Sequence, residues 1–427
     1  MKKKKLKKVV KDIAAHSSIV VFFIMAFEVM IMISPFAFFF YSVFNPIFKW
    51  LDHYTATKWL TAFFFPHMIL PPTLFLKSIR ILGSVFFIVG ALTFITCALQ
   101  VYLGKICRWG IAHKGLYQYI RHPQYFALGT WGIGLCILWP RFIVLVILST
   151  MFFLYYLLAR DEERRMVNQY GDNYTQYMHN TGMFFPRFIE QKFTFMDRMI
   201  PRNSVGYMII FILLTTIVVG AGFISRGLTM RSLSFETEKN LTLVSILPED
   251  KGLCANVLRS IFRSHSNGAI DFLKDENDYV GYLMQPDYIM QGMIANTGSA
   301  FHLYKKHHTI AMITDWVLHP FQHLRRPPSV HMAKLHNVDP TIMRKRHCPV
   351  GIDEAEMKCE TCPYKRVIIV EMKHNYGEHL SKDKLFSFNT TRIPVGFIDI
   401  NTQSGEIRNI RRVSKATAWG DVPTPAI

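Results

Sequence analysis

Two short polar blocks stand out in a chain half of whose 427 residues are hydrophobic. The first reads Gly115-Leu-Tyr117-Gln-Tyr119-Ile-Arg121-His122-Pro123-Gln124-Tyr125. The second opens Asp161-Glu162-Glu163-Arg164-Arg165, continues through Tyr170-Gly171, Tyr174 and Tyr177, and runs to Phe185-Pro186. A guanidinium binds a carboxylate through paired hydrogen bonds, an imidazole donates and accepts near neutral pH, and an aromatic face attracts a cation. This is the equipment for holding a small charged molecule. It is placed beside strongly apolar sequence, where ionisable groups are costly and mark functional sites.

The apolar segments around the blocks must position them. A helix needs about 20 apolar residues to cross a bilayer, and residues 18–44 meet that length despite Glu28 and Pro35. Because this run ends in Phe and Tyr rather than small residues, it reads as a retained span and not a cleaved signal peptide. Residues 58–76 are apolar but contain Pro66, Pro71 and Pro72; proline breaks helices, so this piece is expected to be re-entrant or interfacial. A second span is expected over 78–103. Residues 124–159 are apolar except for Pro140-Arg141, the pattern of a tight hairpin of two short spans. A last span follows at 206–224. The hairpin brings its two ends, and so the two polar blocks, onto one membrane face.

There are 49 Lys and Arg against 30 Asp and Glu, a formal net charge of +19. The basic residues flank apolar runs, as in Lys2 to Lys8 and Lys105 to Arg121, so the excess points to membrane orientation and anionic lipid and not to nucleic acid. Basic flanks stay cytoplasmic. That rule places the N-terminus and both polar blocks in the cytoplasm and sends the C-terminal half to the exoplasmic side.

The blocks resemble the superfamily of isoprenylcysteine carboxyl methyltransferases and phospholipid N-methyltransferases. Its members carry Gly-x-Tyr-x-x-x-Arg-His-Pro-x-Tyr before a helical hairpin, then Glu-Glu-x-x-Leu/Met and aromatic-Gly-x-x-Tyr-x-x-Tyr after it. Both halves stand here in order, Gly115 to Tyr125 and Glu162 to Tyr177, and the resemblance covers about residues 78–190. Ala127 stands where many members have glycine. The resemblance implies S-adenosylmethionine held at the cytosolic face while a lipophilic acceptor (prenylated, lipid or quinone-like) enters from the bilayer. It also implies site residues. Arg121, His122 and Glu163 are the expected catalytic group, and Tyr119, Arg121, His122, Pro123, Tyr125, Glu162, Glu163, Tyr174 and Tyr177 the expected cofactor contacts. For the cofactor carboxylate, Arg121 competes with Arg164 and Arg165.

The expected fold class is thus an α-helical polytopic membrane domain of about five spans plus a possible re-entrant segment, followed by a C-terminal α+β extramembrane domain. Expected boundaries are a membrane domain over 1–200 with its core at 78–190, a final span and linker over 201–230, and the extramembrane domain over 231–427. Val367 to Met372 reads as a strand, and Val395 to Ile410 as a hairpin about Asn401-Thr-Gln-Ser-Gly405; 250–264 and 310–324 read as helices. This half has no counterpart in the superfamily. Its Cys348, Cys359 and Cys362 have the spacing of metal ligands, with His347 or His374 as a fourth, of an iron–sulfur site if Cys254 joins, or of disulfides. Eleven of the 17 His lie after position 264, with His319 and His323 spaced for one helix face. The alternative function is therefore a membrane anchor for a metal- or cluster-bearing electron-transfer domain. A third is a sensor whose C-terminal domain binds a protein partner.

Overall fold

The computed structural model describes residues 26–27, 29–37, 39, 47–107, 114–193, 203–286, 288, 291–297, 364–373 and 385–415. They divide into two compact units, one of 1–44, 83–136 and 144–220, the other of 45–82, 137–143 and 221–427.

The principal helices are α1 (Leu74–Ile106), α2 (Pro123–Leu138), α3 (Phe142–Tyr170), α4 (Asp172–Asn180) and α5 (Ser204–Ser232). Among the described residues three helices, α1, α3 and α5, are long and apolar enough to cross a membrane. Their outward faces carry large apolar side chains such as Leu74, Leu92, Leu99, Ile212, Ile217 and Ile224, each about half exposed or more. A helix that is apolar on its exposed side requires an apolar solvent.

Of the about five spans expected, three are present as such helices within the described residues. Helix α2 has 16 residues, about 24 Å at 1.5 Å per residue, which falls short of a hydrocarbon core about 30 Å thick. The hairpin's arms are unequal because Pro140 ends the first early, whereas α3 continues for 29 residues and carries the second polar block. Most of the 18–44 run lies outside the described residues.

Within the first unit, α1 and α2 meet through two glycines. A Cβ on Gly90 would lie 2.4 Å from the Trp131 amide nitrogen, and one on Gly134 would lie 2.3 Å from that of Phe87. The backbones touch where neither helix carries a side chain, a packing mode suited to lipid, where close van der Waals contact drives helix association.

The second unit is built on a six-stranded sheet of β1 (Phe235–Glu238), β2 (Leu241–Ser245), β3 (Asp278–Met284), β4 (Tyr364–Lys373), β5 (Thr391–Asn401) and β6 (Ile407–Arg412), in that spatial order. Only the β2–β3 pair is parallel, and its crossover contains α6 (Cys254–Ser266). Both faces are covered, which is why β4 reads as an unbroken apolar run. Val367 and Ile369 point into one core with Val257, Leu258 and Ile261 of α6. Ile368 and Val370 point into the other with Met68, Ile69 and Phe386. The expected strand at 367–372 and the hairpin about Gly405 are present. Between β4 and β5, Arg366 and Asp399 form a buried two-pronged ion pair at 2.7 and 2.9 Å.

Part of the proline-rich stretch after Lys58 is packed as protein core. Met68 and Ile69 lie in the sheet's apolar core, the Leu70 amide donates to the Ile246 carbonyl, and the Tyr288 hydroxyl donates to the Met68 carbonyl. Its broken backbone finds its partners in the protein. Cys254 is packed in the core. Cys348, Cys359, Cys362, His319, His323, His347, His374 and the expected helix at 310–324 lie outside the described residues. Among the described residues no group of three or more His, Cys, Asp or Glu is arranged to hold a metal ion.

Candidate functional site

Local sequence sets up the first polar block. Pro123 is the first residue of α2, where its fixed φ suits the helix and its missing N–H costs nothing; the His122 carbonyl accepts the Phe126 amide. Residues 119–122 then pair with 181–183. The Tyr119 carbonyl accepts the Gly182 amide, the Arg121 amide donates to the Gly182 carbonyl, and the His122 amide donates to the Met183 carbonyl. The second block returns because Gly171, at φ +56°, adopts a backbone conformation that side chains disfavour. The chain turns there from α3 into α4, bringing Tyr174 and Tyr177 back.

Four charged groups from the two blocks meet in this frame. Arg121 Nε lies 2.5 Å from Glu163 Oε1, and both side chains are over nine-tenths buried. Arg121 Nη1 also donates to the carbonyls of Met178 and Thr181. The buried His122 ring sits between two consecutive carboxylates. Its Nδ1 is 3.5 Å from Glu162 Oε2 and its Nε2 is 3.4 Å from Glu163 Oε1, the latter not aligned as a hydrogen bond. Burial works against the imidazolium, but Glu162 and Glu163 outweigh it and raise the His122 pKa above its ordinary value. Of the two carboxylates, Glu163 is enclosed and Glu162 is 45% exposed.

Aromatic rings wall the cluster. His122 stacks on Tyr125 (5.5 Å, 13°), and Tyr125 on Tyr155 (4.9 Å, 17°). The Tyr125 hydroxyl donates to Glu162 at 3.3 Å, and that of Tyr177 donates to the Tyr117 carbonyl at 2.6 Å. Tyr174 is buried and packs on Tyr177. Burial raises the Tyr117 and Tyr174 phenols and pushes Tyr177 up to about 12, so all three are neutral near pH 7.

Of the residues expected from sequence, Arg121, His122, Tyr125, Glu162 and Glu163 converge, with Tyr174 and Tyr177 beside them. Tyr119 is 60% exposed and contributes its carbonyl. Arg164 and Arg165 are exposed and pair with Asp161, so the guanidinium of the cluster is that of Arg121. Three more residues were not among the expected site residues, although Tyr117 stands in the first polar block. Tyr155 looks like any aromatic of an apolar run, and Tyr117 like a belt residue. Glu190, whose carboxylate accepts the amides of Met183, Phe184 and Phe185 at 2.8, 2.8 and 3.1 Å, looks like a surface charge. The buried Tyr117 hydroxyl and His122 Nε2 make no hydrogen bond among the described residues. Buried polar atoms without hydrogen-bond partners carry a desolvation cost; His122 Nε2 faces the enclosed Glu163 carboxylate.

The cluster thus lies at the foot of the helical hairpin, with Arg-His-Pro on one arm and Glu-Glu on the other. Residues 74–173 match the phospholipid methyltransferase family model, which lies within the superfamily that the motifs resemble. No curated protein and no solved structure matches the chain, and the C-terminal sheet domain has no recognised counterpart.

Proposed function

We propose that the domain around α1–α4 transfers a methyl group from S-adenosylmethionine to a lipophilic acceptor drawn from the bilayer. The observation that carries this reading is the joint cluster of Arg121, His122, Glu162 and Glu163, together with a buried Tyr117 hydroxyl that makes no hydrogen bond among the described residues. S-adenosylmethionine supplies an electrophilic methyl on a cationic sulfonium, and its amino-acid and ribose parts suit the donors and acceptors present.

Glu162, the accessible carboxylate, holds the ammonium or a ribose hydroxyl. Tyr117 offers a hydroxyl that makes no hydrogen bond among the described residues, and His122 the imidazole between the two carboxylates. Tyr125, Tyr174 and Tyr177 present aromatic faces to cationic or planar groups. Arg121 spends Nε and Nη1 on Glu163, Met178 and Thr181, so its first task is to join the two blocks. With His122 held toward its protonated form, it serves as a hydrogen-bond donor and not as a base. Enclosure by the rings excludes water, and fixed placement of donor and acceptor supplies the rate. The apolar outer faces of α1 and α3 suit a lipid acceptor.

The test is S-adenosylmethionine binding to the full chain in detergent or nanodiscs, followed by methyl transfer to extracted lipids. Glu162→Gln and His122→Ala should each weaken binding about ten- to hundredfold, the cost of one charge-assisted hydrogen bond of about 1.5–3 kcal/mol. Wild-type protein that binds no S-adenosylmethionine overturns the proposal.

A further inference from the structure

We propose that Glu190 is a positioning residue of the site, acting through the 181–185 loop on Arg121 and His122; the inference rests on the methyltransferase reading above. Glu190 closes a helical turn, Arg187–Glu190, outside both polar blocks. Its carboxylate turns back on the loop and accepts three successive amides, Met183 through Oε2 and Phe184 and Phe185 through Oε1. Three bonds to an ionised acceptor are each stronger than a neutral one, and together they fix the path of a segment that has no regular secondary structure of its own.

That segment is the grip on the site. Its outward-turned carbonyls at Thr181, Gly182 and Met183 accept from the Arg121 side chain, the Arg121 amide and the His122 amide respectively. Its rings also reach this helix start, with Phe184 6.0 Å from the His122 imidazole and Phe185 5.6 Å from Phe126 on α2. One carboxylate thus orders the amides of the loop while the loop's carbonyls orient the guanidinium and imidazole. If Glu190 lets go, the carbonyls that aim Arg121 and His122 lose their frame, and displacements of about 1 Å at a reacting centre cost on the order of a hundredfold in rate.

The test compares wild type with Glu190→Gln and Glu190→Asp in nanodiscs. Glu190→Gln puts an amide N–H₂ against backbone donors and should lower kcat on the order of a hundredfold, with a smaller change in KM for S-adenosylmethionine. In histidine-labelled protein, the His122 titration should move from its raised value toward about 6.5, the ordinary figure. Glu190→Asp keeps the charge and should recover part of both signals, and it serves if Glu190→Gln does not fold. Wild-type kcat and His122 titration in both variants would overturn the proposal. If wild-type protein neither binds S-adenosylmethionine nor transfers methyl, the function proposal fails, while the His122 titration still decides whether Glu190 positions the ring.

Discussion

Replacing Arg121 by Met separates the structural worth of the Arg121–Glu163 pair from its chemical worth. Methionine has similar length and no charge, so Glu163 is left ionised in a pocket where its side chain is only 8% exposed. Removing one partner of a buried pair costs about 3–5 kcal/mol, because the other charge stays desolvated. Two features of this site pull on that figure. The His122 Nε2 remains 3.4 Å from Glu163 and offsets part of the loss, while the carbonyls of Met178 and Thr181 lose their donor at about 1 kcal/mol each. The expected net loss for Arg121→Met therefore stays near 3–5 kcal/mol. The double variant Arg121→Met, Glu163→Met removes both charges and should recover much of that loss, since buried pairs exchanged for apolar residues are often neutral. S-adenosylmethionine binding should stay impaired in both. Reversible unfolding in mixed detergent measures the three stabilities. A double variant no more stable than the single one, or a single variant that loses under about 1 kcal/mol, would show that the pair is not the buried lock described here.

Two further outcomes follow from the same geometry. The His122 pKa is raised in the folded chain, so its contribution to stability is complete below about pH 6.5, the unfolded value, and is lost as pH rises through the folded value; melting temperature should fall across that window in wild type and stay flatter in His122→Gln. Gly134→Ala places a Cβ 2.3 Å from the Phe87 amide nitrogen, a clash with backbone that no rotamer relieves. It should destabilise by about 1–3 kcal/mol or more, read as a lower melting temperature, whereas alanine at Gly220, which has no neighbour within 4 Å, should be neutral or slightly stabilising.

The sequence alone determined what depends on local chemistry and on periodicity. Apolar length marked the spans at α1 and α5, and the run Val367-Ile-Ile-Val marked a strand. The Arg-His-Pro and Glu-Glu blocks, separated by one hairpin's length, carried the family resemblance and named the members of the charge cluster. Tertiary structure alone decided what depends on which surface a residue meets. Residues 58–76 looked fit for lipid because Phe, Leu and Met are equally at home in a bilayer or a core; only the partners of Leu70 and Met68 show that part of this stretch is core. Of three candidate guanidiniums, tertiary structure places that of Arg121 in the buried cluster, held by the Met178 and Thr181 carbonyls, while Arg164 and Arg165 are exposed beside Asp161. Glu162 and Glu163 are adjacent and chemically identical, yet one is enclosed against Arg121 and the other open. A carboxylate's role follows from its desolvation and its neighbours, and neither is written in the residue itself.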